Sequence, residues 1–172
     1  MDESSVVAVV RREDPGTPDA VVLLDEMSAM VALYCGDGGQ RHFHPEDVRL
    51  ARSAFVVART MDGLAIGCGA LRRFSFEVAE FKCIYRRPEW AGAGAAVLRH
   101  LERLAVAMGY RRVILQTREG NRRAIAFYLR HGYEPIPPYG EYTAVADARC
   151  FRKVLPPGGS ASSPSMRPPP ER

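Results

Sequence analysis

The chain has 172 residues, 47% of them apolar and 26% charged, with a formal net charge of +4; this describes an ordinary soluble domain with a substantial core. No apolar run reaches the length of a membrane span and the N-terminus lacks a secretory pattern, so the expected location is cytoplasmic. The positive excess is almost all arginine, with Lys82 and Lys153 the only lysines, and its scatter along the chain argues against a nucleic-acid binder.

From the N-terminus, Val6, Val7, Val9 and Val10 predict a first strand over 5–11, ended by Asp14-Pro15-Gly16. Thr17-Pro18-Asp19 opens a helix, with threonine as N-cap and proline in the first turn. Val21, Leu24, Met27, Val31 and Tyr34 follow at helical spacing until Gly36, Gly38 and Gly39 close it. A short second helix is expected over 45–51. Residues 54–58 read as a strand, Asp62-Gly63 as a hairpin turn and 64–71 as the returning strand, with 77–85 continuing the meander.

A glycine-bearing turn over 88–96 then leads into an amphipathic helix. Val97, Leu98, Leu101, Leu104, Ala105 and Met108 form its apolar stripe, Arg99, Glu102 and Arg103 lie opposite, and Gly109 stops it. Residues 112–117 predict a buried strand, parallel to the one before the helix because a helix-length crossover joins them. Asn121 caps the next helix, Gly132 ends it, and 133–136 and 144–155 supply the last strands. The fold class is α+β: a mixed, mostly antiparallel central sheet flanked by helices, in a domain spanning 1–155. The Pro/Ser-rich residues 156–172 are expected to form a disordered tail.

Strand, glycine turn and helix start together make an anion cradle. The first amides of a helix lack intrahelical partners and the macrodipole adds positive potential, which suits a pyrophosphate. In this order, Gly67-Cys68-Gly69-Ala70-Leu71, Glu80, Tyr85, Pro88-Glu89-Trp90, Gly92, Gly94, Asn121, Ala124-Ile125, Phe127-Tyr128 and Gly132-Tyr133 resemble the GNAT superfamily of acyl-CoA-dependent N-acetyltransferases. The similarity runs over nearly the whole chain up to the tail. It implies a GNAT-like fold whose splayed parallel strand pair forms an acyl-CoA slot. It implies acetyl-CoA as co-substrate, no metal, and transfer to a primary amine by direct attack in a ternary complex.

The acceptor is expected to be a small molecule, because the chain has no appended recognition domain. No nucleic-acid or membrane partner is expected, and a homodimer stays open. The resemblance gives cofactor contacts at Cys83, Ile84 and Tyr85, at Ala91, Gly92, Ala93, Gly94, Ala95 and Ala96, and at Asn121, Ala124, Phe127 and Tyr128. The family turn usually begins with Arg or Gln, where this chain has Ala91, and a second common Arg is Ala93. Losing one charge-assisted hydrogen bond costs about 1.5–3 kcal/mol of affinity. Arg86, Arg87, Arg122 and Arg123 are candidates to compensate. A non-catalytic acyl-CoA-binding or sensing module is the competing reading.

Two residues are candidates for the chemistry. Tyr128 matches the family tyrosine that protonates the leaving thiolate, against the alternative of a packed aromatic. Glu80 matches a glutamate that acts as general base in several members, directly or through water; a carboxylate in a partly apolar cleft would have a raised pKa. Its alternative is a strand-edge surface acid paired with Lys82. Cys83 as a nucleophile is disfavoured, since no histidine lies near it in sequence. With Cys35, Cys68 and Cys150 it reads as a reduced, packed thiol. His42 and His44 suggest a solvated loop bordering the acceptor pocket rather than a metal site. His100 and His131 are expected at the surface. Pro137-Pro138-Tyr139-Gly140-Glu141-Tyr142 reads as a pocket rim or a packed turn.

Overall fold

The computed structural model describes residues 7–36 and 43–158. The expected contributions of Val6, Gly38, Gly39 and His42, and the tail from 159 onward, lie outside the described residues. Seven strands form one sheet: β1 (Val9–Arg12), β2 (Ala54–Arg59), β3 (Ala65–Arg73), β4 (Val78–Arg86), β5 (Arg112–Arg118), β6 (Glu134–Ile136) and β7 (Ala148–Val154). Their spatial order is β1-β2-β3-β4-β5-β7-β6. Neighbours are antiparallel throughout except β4 and β5, which run parallel. The crossover between those two is α2 (Ala93–Ala107), as its helix-length spacing requires. Helix α1 is Pro18–Cys35 and α3 is Arg122–Arg130. No helix among the described residues is long and apolar enough to cross a membrane.

Alternation along β2 divides the core. Val56 and Ala58 pack on the α2 side with Val97, Leu98 and Leu101, and Tyr128 of α3 joins them. Phe55 and Val57 pack on the opposite face with Ala20 and Leu23 of α1. Gly69 permits the close approach of α2. A Cβ there would lie 2.7 Å from Val97 Cγ1 and 2.8 Å from Leu101 Cδ1, inside any tolerated contact.

Three sequence expectations shift. The buried positions of α1 are Ala20 and Leu23, while Val21 and Tyr34 of the expected stripe are exposed. The run Val21-Val22-Leu23-Leu24 is apolar around the whole helix, so spacing alone cannot choose its inner face. Residues 45–51 make only a single 3-10 turn, Pro45–Val48. The expected last strand begins later, at Ala148, because Gly140–Ala144 forms a second 3-10 turn. Thr17 occupies the N-cap position of α1, but its hydroxyl donates backwards to the Asp14 carbonyl at 3.1 Å.

Candidate active site

The parallel pair does not stay paired. Its register runs from Val78–Arg112 to Phe81–Leu115 and stops there, so Lys82 to Arg86 leave β5. A bulge on β4 accompanies the separation. Cys68 pairs with Tyr85 but Ala70 pairs with Lys82, which gives β4 one extra residue opposite Gly69. Cys83 takes up the strain at φ 56°, a conformation that L residues rarely adopt. The gap is a cavity of about 140 Å³. Lys82, Cys83 and Ile84 line one wall, Gln116, Thr117 and Arg118 of β5 the other, and Asn121, Ala124 and Tyr128 close it from α3. Met27 and Val31 of α1, Phe43, Tyr142 and Val145 complete it.

Asn121 sets the register of α3: its side chain accepts the Ala124 amide at 3.1 Å, as a capping residue should. This turns Tyr128 inward, where it packs edge-on against Phe127 and Tyr133. The residue is buried, yet its hydroxyl has no hydrogen-bond partner among the described residues. No buried side-chain polar atom there lacks a partner either, so this oxygen must open into the cavity that the residue lines. Burial pushes its phenol well above the ordinary range, and the nearby Cys83 thiol adds to the shift. Cys83 itself is pushed up to about 12 by burial, so its thiol stays protonated and is a poor nucleophile. No disulfide joins the four cysteines.

Glu80 departs from the surface-acid reading made of it. It is 1% exposed, which removes the surface-acid alternative, and it does not line the cavity. Oε1 accepts from Arg72 Nε at 2.5 Å and Oε2 accepts from the Tyr139 hydroxyl at 2.6 Å. Arg72 also bonds Asp47 at 2.9 Å. The expected carboxylate in a partly apolar cleft is instead an ion pair with both oxygens engaged. Nor does Lys82 pair with it as expected: Lys82 Nζ donates to the Tyr142 hydroxyl at 2.6 Å. The 137–142 segment is thus both things weighed for it, since Tyr139 packs against Glu80 while Tyr142 reaches the cavity wall.

The glycine turn starts α2, beside Arg86 of β4 and Phe127 of α3. Gly92 caps α2 at φ 90°. The Ala93 amide donates to Trp90 and the Ala96 amide to Gly92, which leaves the Gly92, Gly94 and Ala95 amides without main-chain partners among the described residues. Ala91 is exposed, while Ala93 is fully buried and packs in the core. The position of the family's second arginine therefore points inward in this chain. Gly94 faces α3, where a Cβ would meet Phe127 Cζ at 3.7 Å and Arg86 Cδ at 3.7 Å.

Among the four candidate arginines, Arg87 is committed to Glu26 through Nε and Nη2, at 3.0 and 2.9 Å, and to the Ala65 carbonyl through Nη1 at 2.9 Å. Arg86 donates to the Pro88 carbonyl beside the turn at 2.9 Å. Arg122 and Arg123 are exposed on the first turn of α3. The Tyr85 side chain turns away from the slot, donating to Glu26 at 3.1 Å. Unpaired amides at a helix start, a glycine where the chain must be approached closely, and a narrow slot fit a phosphate-bearing acyl carrier.

The structure thus brings Cys83, Ile84, Asn121, Ala124 and Tyr128 together around one cavity and leaves Glu80 behind its wall. Sequence reasoning missed Lys82 as a cavity residue. The signal for Lys82 was composition, since a lysine is rare in a chain whose other cations are almost all arginine. His100 and His131 are half-buried rather than exposed, and burial lowers both pKa values. His44 is exposed, and among the described residues no cluster of three His, Cys, Asp or Glu side chains could hold a metal.

A family model described as the acetyltransferase (GNAT) family matches residues 25–133. Among solved structures, an acyl-CoA N-acyltransferase candidate from Klebsiella pneumoniae is similar at 22% identity, with a TM-score of 0.73, covering 87% of this chain and 99% of the other. An acetyltransferase from Streptococcus agalactiae follows at 17% identity and a TM-score of 0.67, covering 86% and 98%. An aminoglycoside 6'-acetyltransferase type Ii gives 17% and 0.61, covering 87% and 98%. At these identities the likeness is one of fold. No curated protein matches the chain in sequence.

Proposed function

The chain belongs to the GNAT family of acetyltransferases, and from that premise we propose that it moves an acetyl group from acetyl-CoA to a primary amine of a small molecule, by direct attack within the β4–β5 slot. One observation carries the reading. The Tyr128 hydroxyl has no hydrogen-bond partner among the described residues and opens into the cavity where β4 and β5 part.

Bound acetyl-CoA supplies an activated carbonyl and a thiol leaving group. The amides of Gly92, Gly94 and Ala95 hold its phosphates, with the Arg86 side chain beside Gly94. Main-chain amides beyond the last β4–β5 pair, near Cys83 to Tyr85, donate to the carbonyl oxygen and stabilise charge developing on it. The neutral amine nitrogen bonds the carbonyl carbon as the C–S bond breaks; Tyr128, protonated at neutral pH, gives its proton to the departing sulfur and is restored by the proton the nitrogen loses in becoming an amide. A raised phenol pKa does not forbid this, because the dry slot that disfavours a phenolate disfavours a thiolate equally.

Glu80 acts in this proposal as a positioning residue. Direct proton removal by it would require Tyr139 or Arg72 to release an oxygen. It holds the cavity wall in place through those two partners.

The test is thiol release from acetyl-CoA over a panel of amines, amino acids and peptides, with Tyr128→Phe alongside. Release with some amine in the wild type and its loss in the variant supports the reading. Binding without release across the panel would instead make the chain an acyl-CoA-binding module.

A further inference from the structure

We propose that the acceptor carries a carboxylate as well as its amine, and that Lys82 binds that carboxylate; this rests on the transferase reading above. The charged side chains lining the cavity are Lys82 and Arg118, and no Asp or Glu among the described residues lines it. An acceptor bearing only an ammonium group would meet two cations in the lining, whose counter-charges, Glu141 and Asp147, stand outside it. One that also bears a carboxylate brings the counter-charge with it.

Lys82 is built for that contact. It follows Phe81, the last residue of β4 paired with β5, and so stands where the slot opens. Its side chain is only 8% exposed. Of its three N–H donors, one goes to the Tyr142 hydroxyl at 2.6 Å. The Glu141 carboxylate lies 3.8 Å away, outside hydrogen-bond range. Glu80, the neighbouring acid on the same strand face, is already held by Arg72 and Tyr139.

A nearly buried ammonium with one neutral acceptor is an expensive arrangement, which an incoming carboxylate relieves. Burial lowers the Lys82 pKa, as expected of a cation short of partners. Arg118 has a different standing. It bonds Asp147 at 2.8 Å and adds positive potential without being the anchor. Lys153, the other lysine, is by contrast fully provided for, with two bonds to Glu102 at 3.1 Å and one to the His131 carbonyl at 2.8 Å.

The experiment compares matched trios: an amino acid, its amide and its decarboxylated amine, with small, acidic and apolar side chains. Thiol release is measured for the wild type, Lys82→Gln and Lys82→Arg. The expected result is a kcat/KM at least about tenfold higher for the carboxylate member, as one charge-assisted hydrogen bond gives. That preference should collapse towards unity in Lys82→Gln, mainly through KM, and return in part in Lys82→Arg.

A second readout needs no turnover. N-acetyl amino acids should raise the thermal midpoint of the wild type, and the corresponding N-acetyl amines should not. Decarboxylated amines accepted as well as their parents, or a preference that survives in Lys82→Gln, would overturn the inference while leaving the transferase reading intact. Absence of release with every amine would reject the transferase reading itself. Should Lys82→Gln fail to fold, the wild-type trios and Lys82→Arg still decide.

Discussion

Restoring the missing guanidinium is the sharpest probe of the cofactor turn. Ala91 is exposed at the start of the turn, next to three amides without main-chain partners, so Ala91→Arg adds a cation without disturbing the core. A charge-assisted hydrogen bond to phosphate is worth about 1.5–3 kcal/mol. Exposure at this position trims the gain to the low end, about 1.4 kcal/mol, or roughly tenfold in Kd.

Arg86 is already nearby, and if it contributes, the two gains should overlap: the double variant Ala91→Arg, Arg86→Ala should bind about as tightly as the wild type. Calorimetry with acetyl-CoA at low and high salt is the assay. The gain should shrink as salt rises, because the site is exposed. Gly94→Val is the opposite perturbation, filling the space between Phe127 and Arg86 and weakening binding. An Ala91→Arg variant with an unchanged Kd, together with a Gly94→Val variant that binds normally, would refute phosphate binding at this turn.

Three further outcomes follow from the geometry. Tyr128→Phe should lower kcat by about a hundredfold or more while acetyl-CoA affinity stays within a few-fold; because the hydroxyl has no hydrogen-bond partner among the described residues, the melting temperature should barely move. Glu80→Gln removes the buried partner of Arg72 and should cost about 3 kcal/mol in denaturant unfolding, far more than a surface acid would. Glu26 has its carboxyl held below the ordinary range by the Arg87 hydrogen bond, against burial and with help from Tyr85. Its contribution is therefore complete above the unfolded value near 4.5 and is lost as pH falls through the lower folded value. Glu26→Gln should cost about 1 kcal/mol at neutral pH, since the pair is partly exposed, and the difference from wild type should vanish in an acid titration of stability.

The parts of the fold that were legible are those where local chemistry and long-range order coincide. The crossover between β4 and β5 is long enough only for a parallel pair, and Asn121 both caps α3 and fixes the side on which Tyr128 falls. Legibility fails where several faces are equally apolar, as along Val21 to Leu24 of α1, or where tertiary contacts bend the chain. The bulge at Cys83 is of the second kind. A cysteine at positive φ has no local signature, and it is held there by the pairing of Cys68 with Tyr85 and of Ala70 with Lys82.

The same distinction explains the polar residues of the site. Glu80 and Lys82 are two apart on β4, and from sequence alone their mutual pairing is the economical choice. The fold breaks that choice by delivering partners from far away. Arg72 comes from the adjoining strand, and Tyr139 and Tyr142 come from a loop about sixty positions on. Once Arg72 and Tyr139 satisfy both Glu80 oxygens, the carboxylate can no longer neutralise Lys82. The ammonium is left facing the slot with a phenol for company. In the proposed reaction, proton transfer and acceptor recognition are thereby separated: Tyr128 stands on the α3 side of the cavity and Lys82 on the β4 side. A carboxylate acceptor would give Lys82 a hydrogen-bonded partner where Glu141, 3.8 Å away, makes only a long-range ion pair.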